Sequence, residues 1–124
     1  MTDSNNELIQ YFKVDNTQSA QALGSGGLLV LGTPALVAYM ENVAFNLAQQ
    51  TLSEKDTTVG IEMNLKHLAP SAIGADIQVK AQLIKQEKSI LTYEIVAYDT
   101  ETLIGKATHK RAIVNVDKFM ARLK

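Results

Sequence analysis

At 124 residues, with 46% hydrophobic and 20% charged side chains, the chain has the size and make-up of one compact domain spanning residues 1–124. Twelve basic against thirteen acidic residues leave a formal net charge of −1, which gives no support to bulk capture of nucleic acid or of an acidic membrane. The lack of cysteine excludes disulfides, thiolate catalysis and cysteine-ligated zinc, and the two histidines, His67 and His109, form no metal-ligand spacing.

The N-terminal stretch MTDSNNELIQ has no basic segment followed by an apolar one, so no secretory signal is expected. The most apolar run, Leu28 to Met40, falls short of the roughly 20 residues a spanning helix needs, and Thr33-Pro34 interrupts it. A cytoplasmic protein is the expectation. Ile9 to Val14 reads as a first short strand. The GSGG stretch at 24–27 is conformationally permissive and leads through LLVL into a helix. Thr33 suits the N-cap and Pro34 the first helical position, where its missing N–H is not needed. The helical pattern runs to about Thr51. At 100° per residue, Pro34, Val37, Ala38, Ala44, Phe45, Ala48 and Leu52 surround Glu41, so the sequence places that carboxylate at the centre of an apolar stripe.

After the helix the period changes to two. Val59, Ile61, Met63, Leu65 and His67 are expected on one face of a strand, and Gly60, Glu62, Asn64 and Lys66 on the other. Residues 75–86 alternate again, with Ile77, Val79, Ala81 and Leu83 inward. A turn at Gln86-Glu87-Lys88 precedes a strand from Ser89 to Tyr98, and Asp99-Thr100-Glu101 precedes a last one from Leu103 to Val116. One long apolar helix followed by four consecutive strands implies an α+β hotdog fold, an antiparallel sheet wrapped around a central helix. Such sheets commonly pair edge to edge into dimers.

Four positions could carry chemistry. Glu41 is either a helix glutamate that turns to solvent or a partly dry carboxylate of the kind a general base requires, with Ala38, Ala44 and Ala48 leaving space beside it. His67 ends its strand face just before Leu68-Ala69-Pro70; it is a satisfied core histidine or a group bordering a site. Thr33 has an adequate explanation as a cap, and a hydroxyl at a helix N-terminus is also well placed to act on an acyl group. Gly105, Ala107, His109 and Arg111 share a face of the last strand, where the arginine is either exposed or a clamp for an anion. Gly60, within an otherwise ordinary strand, marks a bulge or a close backbone approach.

The segments TPALVAYMENVA, VGIEMNLKHLAPSAIGA and GKATHKRAIVNVDKF resemble the fluoroacetyl-CoA thioesterase-like branch of hotdog thioesterases, from about Gly24 to Phe119. The resemblance implies a catalytic group of Thr33, Glu41 and His67, whose intervals of eight and twenty-six residues fit the family pattern. It associates Gly60 with a backbone contact to the thioester carbonyl and Arg111 with the polar network of the site. It also implies a homodimer, with a tetramer as a further option, and coenzyme A bound as part of the substrate. No separate cofactor and no metal are expected. The fluoroacetyl-specific enzymes carry aromatic lid residues upstream of the helix motif. Here that region reads GSGGLLVLG, so a broader or different acyl preference is expected.

The reaction so implied is acyl-CoA thioester hydrolysis. Glu41 would activate water or attack directly, Thr33 would orient or relay, His67 would assist proton transfer, and the Gly60 amide would help hold the oxyanion. Two rivals stand beside it: an acyl-CoA-binding sensor without turnover, and a hotdog enoyl-CoA hydratase or dehydratase, whose usual Asp/Asn-Pro-His helix signature is missing here.

Overall fold

The computed structural model describes residues 6–123. The period-two segments form five strands: β1 (Glu7–Lys13), β2 (Asp56–His67), β3 (Asp76–Glu87), β4 (Ile90–Asp99) and β5 (Thr102–Asn115). They make one antiparallel sheet in the order β1-β3-β4-β5-β2, so β1 and β2 are its edges. The short helix α1 (Ala20–Leu23) follows a 3-10 turn at Asn16–Gln18, α2 (Thr33–Gln49) is the central helix, and α3 (Val116–Ala121) closes the described chain. Neither α1 nor α3 was expected from the sequence, being too short to show a period. No helix is long and apolar enough to cross a membrane among the described residues.

The inner face of the sheet follows the alternation for β3 and β4: Ile77, Val79, Ala81, Leu91, Tyr93, Ile95 and Ala97 are all buried. Against them α2 buries Ala35, Leu36, Tyr39, Met40, Val43, Ala44, Leu47 and Ala48. Each large aliphatic in that set contributes about 1.5–3 kcal/mol by leaving water. The buried stripe is therefore not the one expected. Its centre lies about 130° round the helix from Glu41, because Leu36, Met40, Val43 and Leu47 offer more apolar area than Pro34 and Ala38, which remain exposed. Glu41 sits half-buried on the flank. Gly105 explains how the helix can approach β5: a Cβ there would stand 2.9 Å from Leu36 Cδ2 and 3.2 Å from Met40 Cε.

The face assigned to β2 is corrected as well. The register with β5 shifts between Gly60 and Glu62, so Ile61 has no partner and bulges out, 52% exposed. One extra residue reverses the parity. Met63, Leu65 and His67 keep the inner face, as expected, but before the bulge it is Thr58 and Gly60 that turn inward, not Val59 and Ile61.

Candidate active site

The start of α2 is organised by backbone rather than by the Thr33 hydroxyl. Gly32 is the N-cap and makes no side-chain cap bond, while Thr33 is the first helical residue, with Pro34 behind it. The Gly32 N–H donates to Gln18 O at 2.9 Å, and Leu31 N–H donates to Ser71 O at 2.9 Å, tying the helix entry to two loops. This corrects the expected N-cap and has a consequence for chemistry. Released from capping, Thr33 Oγ1 lies 2.8 Å from His67 Nδ1.

His67 reaches that position because β2 ends there: Leu68 N–H turns away to donate to Ile104 O at 2.7 Å. Either the hydroxyl donates to an unprotonated Nδ1, or a protonated Nδ1 donates to the hydroxyl oxygen. Burial pushes the imidazole below the ordinary histidine value of 6.5, which favours the neutral form in both arrangements. Its Nε2 is buried and meets no hydrogen-bond partner among the described residues. The pair lines a cleft of about 320 Å³ with Val30, Leu31, Ala69 and Pro70. Leu28 and Leu29, in the aromatic-free segment, are exposed nearby in sequence.

Glu41 occupies a second cleft, of about 260 Å³, with Ala38, Asn42, Phe45, Gly60 and Arg111. Of the three alanines expected beside the carboxylate, only Ala38 lines this space; Ala44 and Ala48 belong to the core. Gly60 passes directly beneath the acid. A Cβ on it would stand 2.7 Å from Glu41 Oε2 and 3.3 Å from Arg111 Nη1. The expectation of a bulge or close approach at Gly60 thus meets both features at once.

Arg111 is not the exposed strand arginine that residue type alone favours. It is 6% exposed and held on three sides. Its Nε–H donates to Thr58 Oγ1 at 2.8 Å and its Nη2 to Thr58 O at 3.1 Å. Its Nη1 donates to His109 Nε2 at 3.1 Å, and the guanidinium lies 5.8 Å from the Phe45 ring centroid. Burial lowers its pKa, while the charge of Glu41 works against that shift. Thr58 and His109 were missed as site residues. Only the inward parity of His109 with Arg111 hinted at the second, and the bulge hid the first.

Thr33 and His67 therefore come together, as do Glu41, Gly60 and Arg111, but the two groups line separate clefts of the protomer. Among the described residues no hydrogen bond or ion pair joins Glu41 to Thr33 or His67. No cluster of metal-ligating side chains is found there either.

A five-stranded antiparallel sheet curled around one long helix, with polar groups at the helix entry and over the β2 bulge, defines a hotdog-fold protein. A solved hot-dog-like protein from Thermanaerovibrio acidaminovorans matches it with a TM-score of 0.87 over 94% of this chain and 87% of that one, at 19% identity. The solved fluoroacetyl-CoA thioesterase FlK matches with a TM-score of 0.90 over 99% of this chain and 96% of that one, at 22% identity. In sequence, a fluoroacetyl-CoA thioesterase from Streptantibioticus cattleyicolor is 27% identical over 95 residues, 77% of this chain and 68% of that protein. The family described as FlK, fluoroacetyl-CoA-specific thioesterase, matches residues 14–117. The chain belongs to that family and is a thioester hydrolase.

Proposed function

We propose that the chain hydrolyses acyl-CoA esters with small or medium acyl groups, and that its site is completed across a homodimer. Water adds to the thioester carbonyl, the C–S bond breaks, and a proton passes to the departing coenzyme A thiolate. Glu41 takes the proton from water or attacks as a carboxylate, Thr33 orients or relays, and His67 moves the proton toward sulfur. The Gly60 N–H and the Arg111 charge are assigned to the negative charge that develops on the carbonyl oxygen. Coenzyme A enters as part of the substrate, and no separate cofactor is invoked.

The observation that carries this reading is the separation of two half-sites along shared elements. Thr33 and Glu41 are eight residues apart on α2, so their Cα atoms are about 12 Å apart along the axis. Gly60 and His67 are seven residues apart on β2, roughly 20 Å of strand. That spacing supports a site assembled from two protomers. β2 is a sheet edge, and two copies pairing antiparallel through it about a two-fold near Met63 and Asn64 would set Gly60 of one opposite His67 of the other. Each protomer's Glu41 would then face the partner's Thr33 and His67. The absence of aromatics at 24–32 supports a pocket not built for a fluorinated acetyl group.

The test is thiol release from a panel of short, long, branched and aromatic acyl-CoA esters, followed by complementation. Glu41→Gln and His67→Ala homodimers should each be nearly inactive. Re-mixed at equal concentration, half the dimers are hybrids with one intact site, so about a quarter of parental activity returns. No recovery in verified hybrids would refute the shared site, and binding without turnover by the parent would favour the sensor.

A further inference from the structure

Nothing in the hydrolytic scheme uses His109, yet it is the most completely buried titratable side chain near the site, at 0% exposure. Its surroundings determine its protonation. Nδ1 lies 2.7 Å from Glu62 O, which can only accept, and Nε2 lies 3.1 Å from Arg111 Nη1, which can only donate. The ring is therefore neutral, with its proton on Nδ1. Glu62 is the first residue after the Ile61 bulge, and Thr58, which holds the other side of Arg111, turns inward because of that bulge.

We propose that His109 is a positioning residue: as the Nδ1–H tautomer it ties the Arg111 guanidinium to the β2 bulge and keeps it facing Glu41 across Gly60. The inference rests on the reading of Glu41 as the acting acid. The geometry supports holding at a distance rather than pairing. Glu41 and Arg111 form no direct ion pair among the described residues, yet both stand against the same Gly60 position, at 2.7 Å and 3.3 Å from a Cβ built there. Three acceptors, Thr58 Oγ1, Thr58 O and His109 Nε2, restrain the guanidinium from collapsing onto the carboxylate. The space between them stays available for a polarised oxygen, with a positive charge on one side and a carboxylate on the other.

The neutral ring is necessary to this arrangement. The groups that face it are Arg111 on its own strand, Tyr93 from β4 with ring centroids 6.4 Å apart, Glu41 from α2 and the Glu62 carbonyl from β2. Burial lowers its pKa most, and Arg111 lowers it further, against Glu62 O and Glu41, which favour protonation. A second proton on Nε2 would meet Arg111 donor to donor and push the guanidinium out of place.

Three variants of the intact chain test this: His109→Leu, His109→Gln and Thr58→Val. His109→Leu should lower kcat by about 10²-fold with little change in KM, as expected for a loss of alignment of about 1 Å. His109→Gln, whose Oε1 can accept from Arg111, should recover kcat to within about 5-fold of the parent, and Thr58→Val should fall between them. The direct readout is the Arg111 Nη1–H resonance, the donor to His109 Nε2, assigned by its loss in Arg111→Lys. It should exchange slowly in the parent and in His109→Gln, and rapidly in His109→Leu. A His109→Leu protein with native melting, parental kcat and a protected resonance overturns the proposal, as does failure of glutamine to rescue. If His109→Leu does not fold, nitrogen shifts of His109 in the parent decide: a proton on Nε2 refutes the assigned tautomer. If the parent turns over no acyl-CoA, the hydrolytic reading fails, while the exchange measurement still judges the positioning.

Discussion

Replacing Gly60 with alanine adds a single methyl at the point where three site residues converge. The new Cβ would stand 2.7 Å from Glu41 Oε2, 3.3 Å from Arg111 Nη1 and 3.3 Å from His109 Cε1. A carbon and a carboxylate oxygen need more than 3 Å, so one of them must retreat by several tenths of an ångström. Glu41 gives way most readily, because its carboxylate is the free end of a flexible side chain in an open cleft, whereas Arg111 is restrained by three hydrogen bonds. The backbone does not object: Gly60 is absent from the positive-φ positions, so alanine introduces no torsional strain. Lost unfolded-chain freedom should even stabilise by about 0.4–1 kcal/mol, offsetting the modest cost of moving the acid. Turnover should respond very differently. A misplacement of about 1 Å costs about 10²-fold, so a retreat of several tenths of an ångström should lower kcat by roughly 10-fold. The assay is steady-state thiol release on acyl-CoA esters beside a thermal melt of the same preparation. A Gly60→Ala protein with parental kcat would show that Glu41 and Gly60 do not frame the reacting group; one that loses activity only by unfolding would show that the glycine serves packing alone.

Gly105→Ala is the matched contrast. Its Cβ would meet Leu36 Cδ2 at 2.9 Å in the core, so overpacking should cost about 1–3 kcal/mol in denaturant unfolding while kcat per folded molecule changes little. Thr33→Val removes the partner of His67 Nδ1 but no helix cap, because Gly32 fills that position. Melting should therefore shift by less than about 0.5 kcal/mol while kcat falls clearly, and a loss of stability near 1 kcal/mol or more would restore the capping role to Thr33. His67 and His109 both have pKa values lowered by burial, so below pH 6.5 the unfolded chain binds protons that the folded chain refuses. Stability is then full above 6.5 and declines as pH falls from 6.5 toward the lowered folded values. Melting temperature against pH should show this decline, with a shallower slope in His109→Gln; an unchanged slope would mean that His109 is not held neutral by the fold.

Most of the architecture was legible in local sequence. Alternation in 75–86 and in the two segments after it identified β3, β4 and β5 to within a few residues, and the apolar run after Thr33-Pro34 identified α2, because period and propensity act within a single element. Where legibility failed, the deciding quantity lay in another element. The Ile61 bulge is set by pairing with β5, and without that partner nothing in TTVGIEMN says which residue is surplus. The stripe buried by α2 depends on which flank meets the sheet, and side-chain area broke a tie that apolar counting could not.

The same division runs through the site. Residue identity alone determined what chemistry was available: a carboxylate, a hydroxyl, an imidazole, a buried-capable arginine, and no thiol. The intervals between Thr33, Glu41 and His67 linked them to a family but could not say how they meet. Tertiary structure decided that Thr33 faces His67 rather than capping its own helix, since the bonds from Gly32 to Gln18 and from Leu31 to Ser71 set the chain's entry so that Gly32, not Thr33, takes the N-cap. It also decided that Arg111 is buried, since only a bulged β2 can turn the Thr58 side chain toward it and leave Glu62 O for His109. Local periodicity reports which way a side chain points within its own strand or helix. What waits there to receive it is a property of the fold.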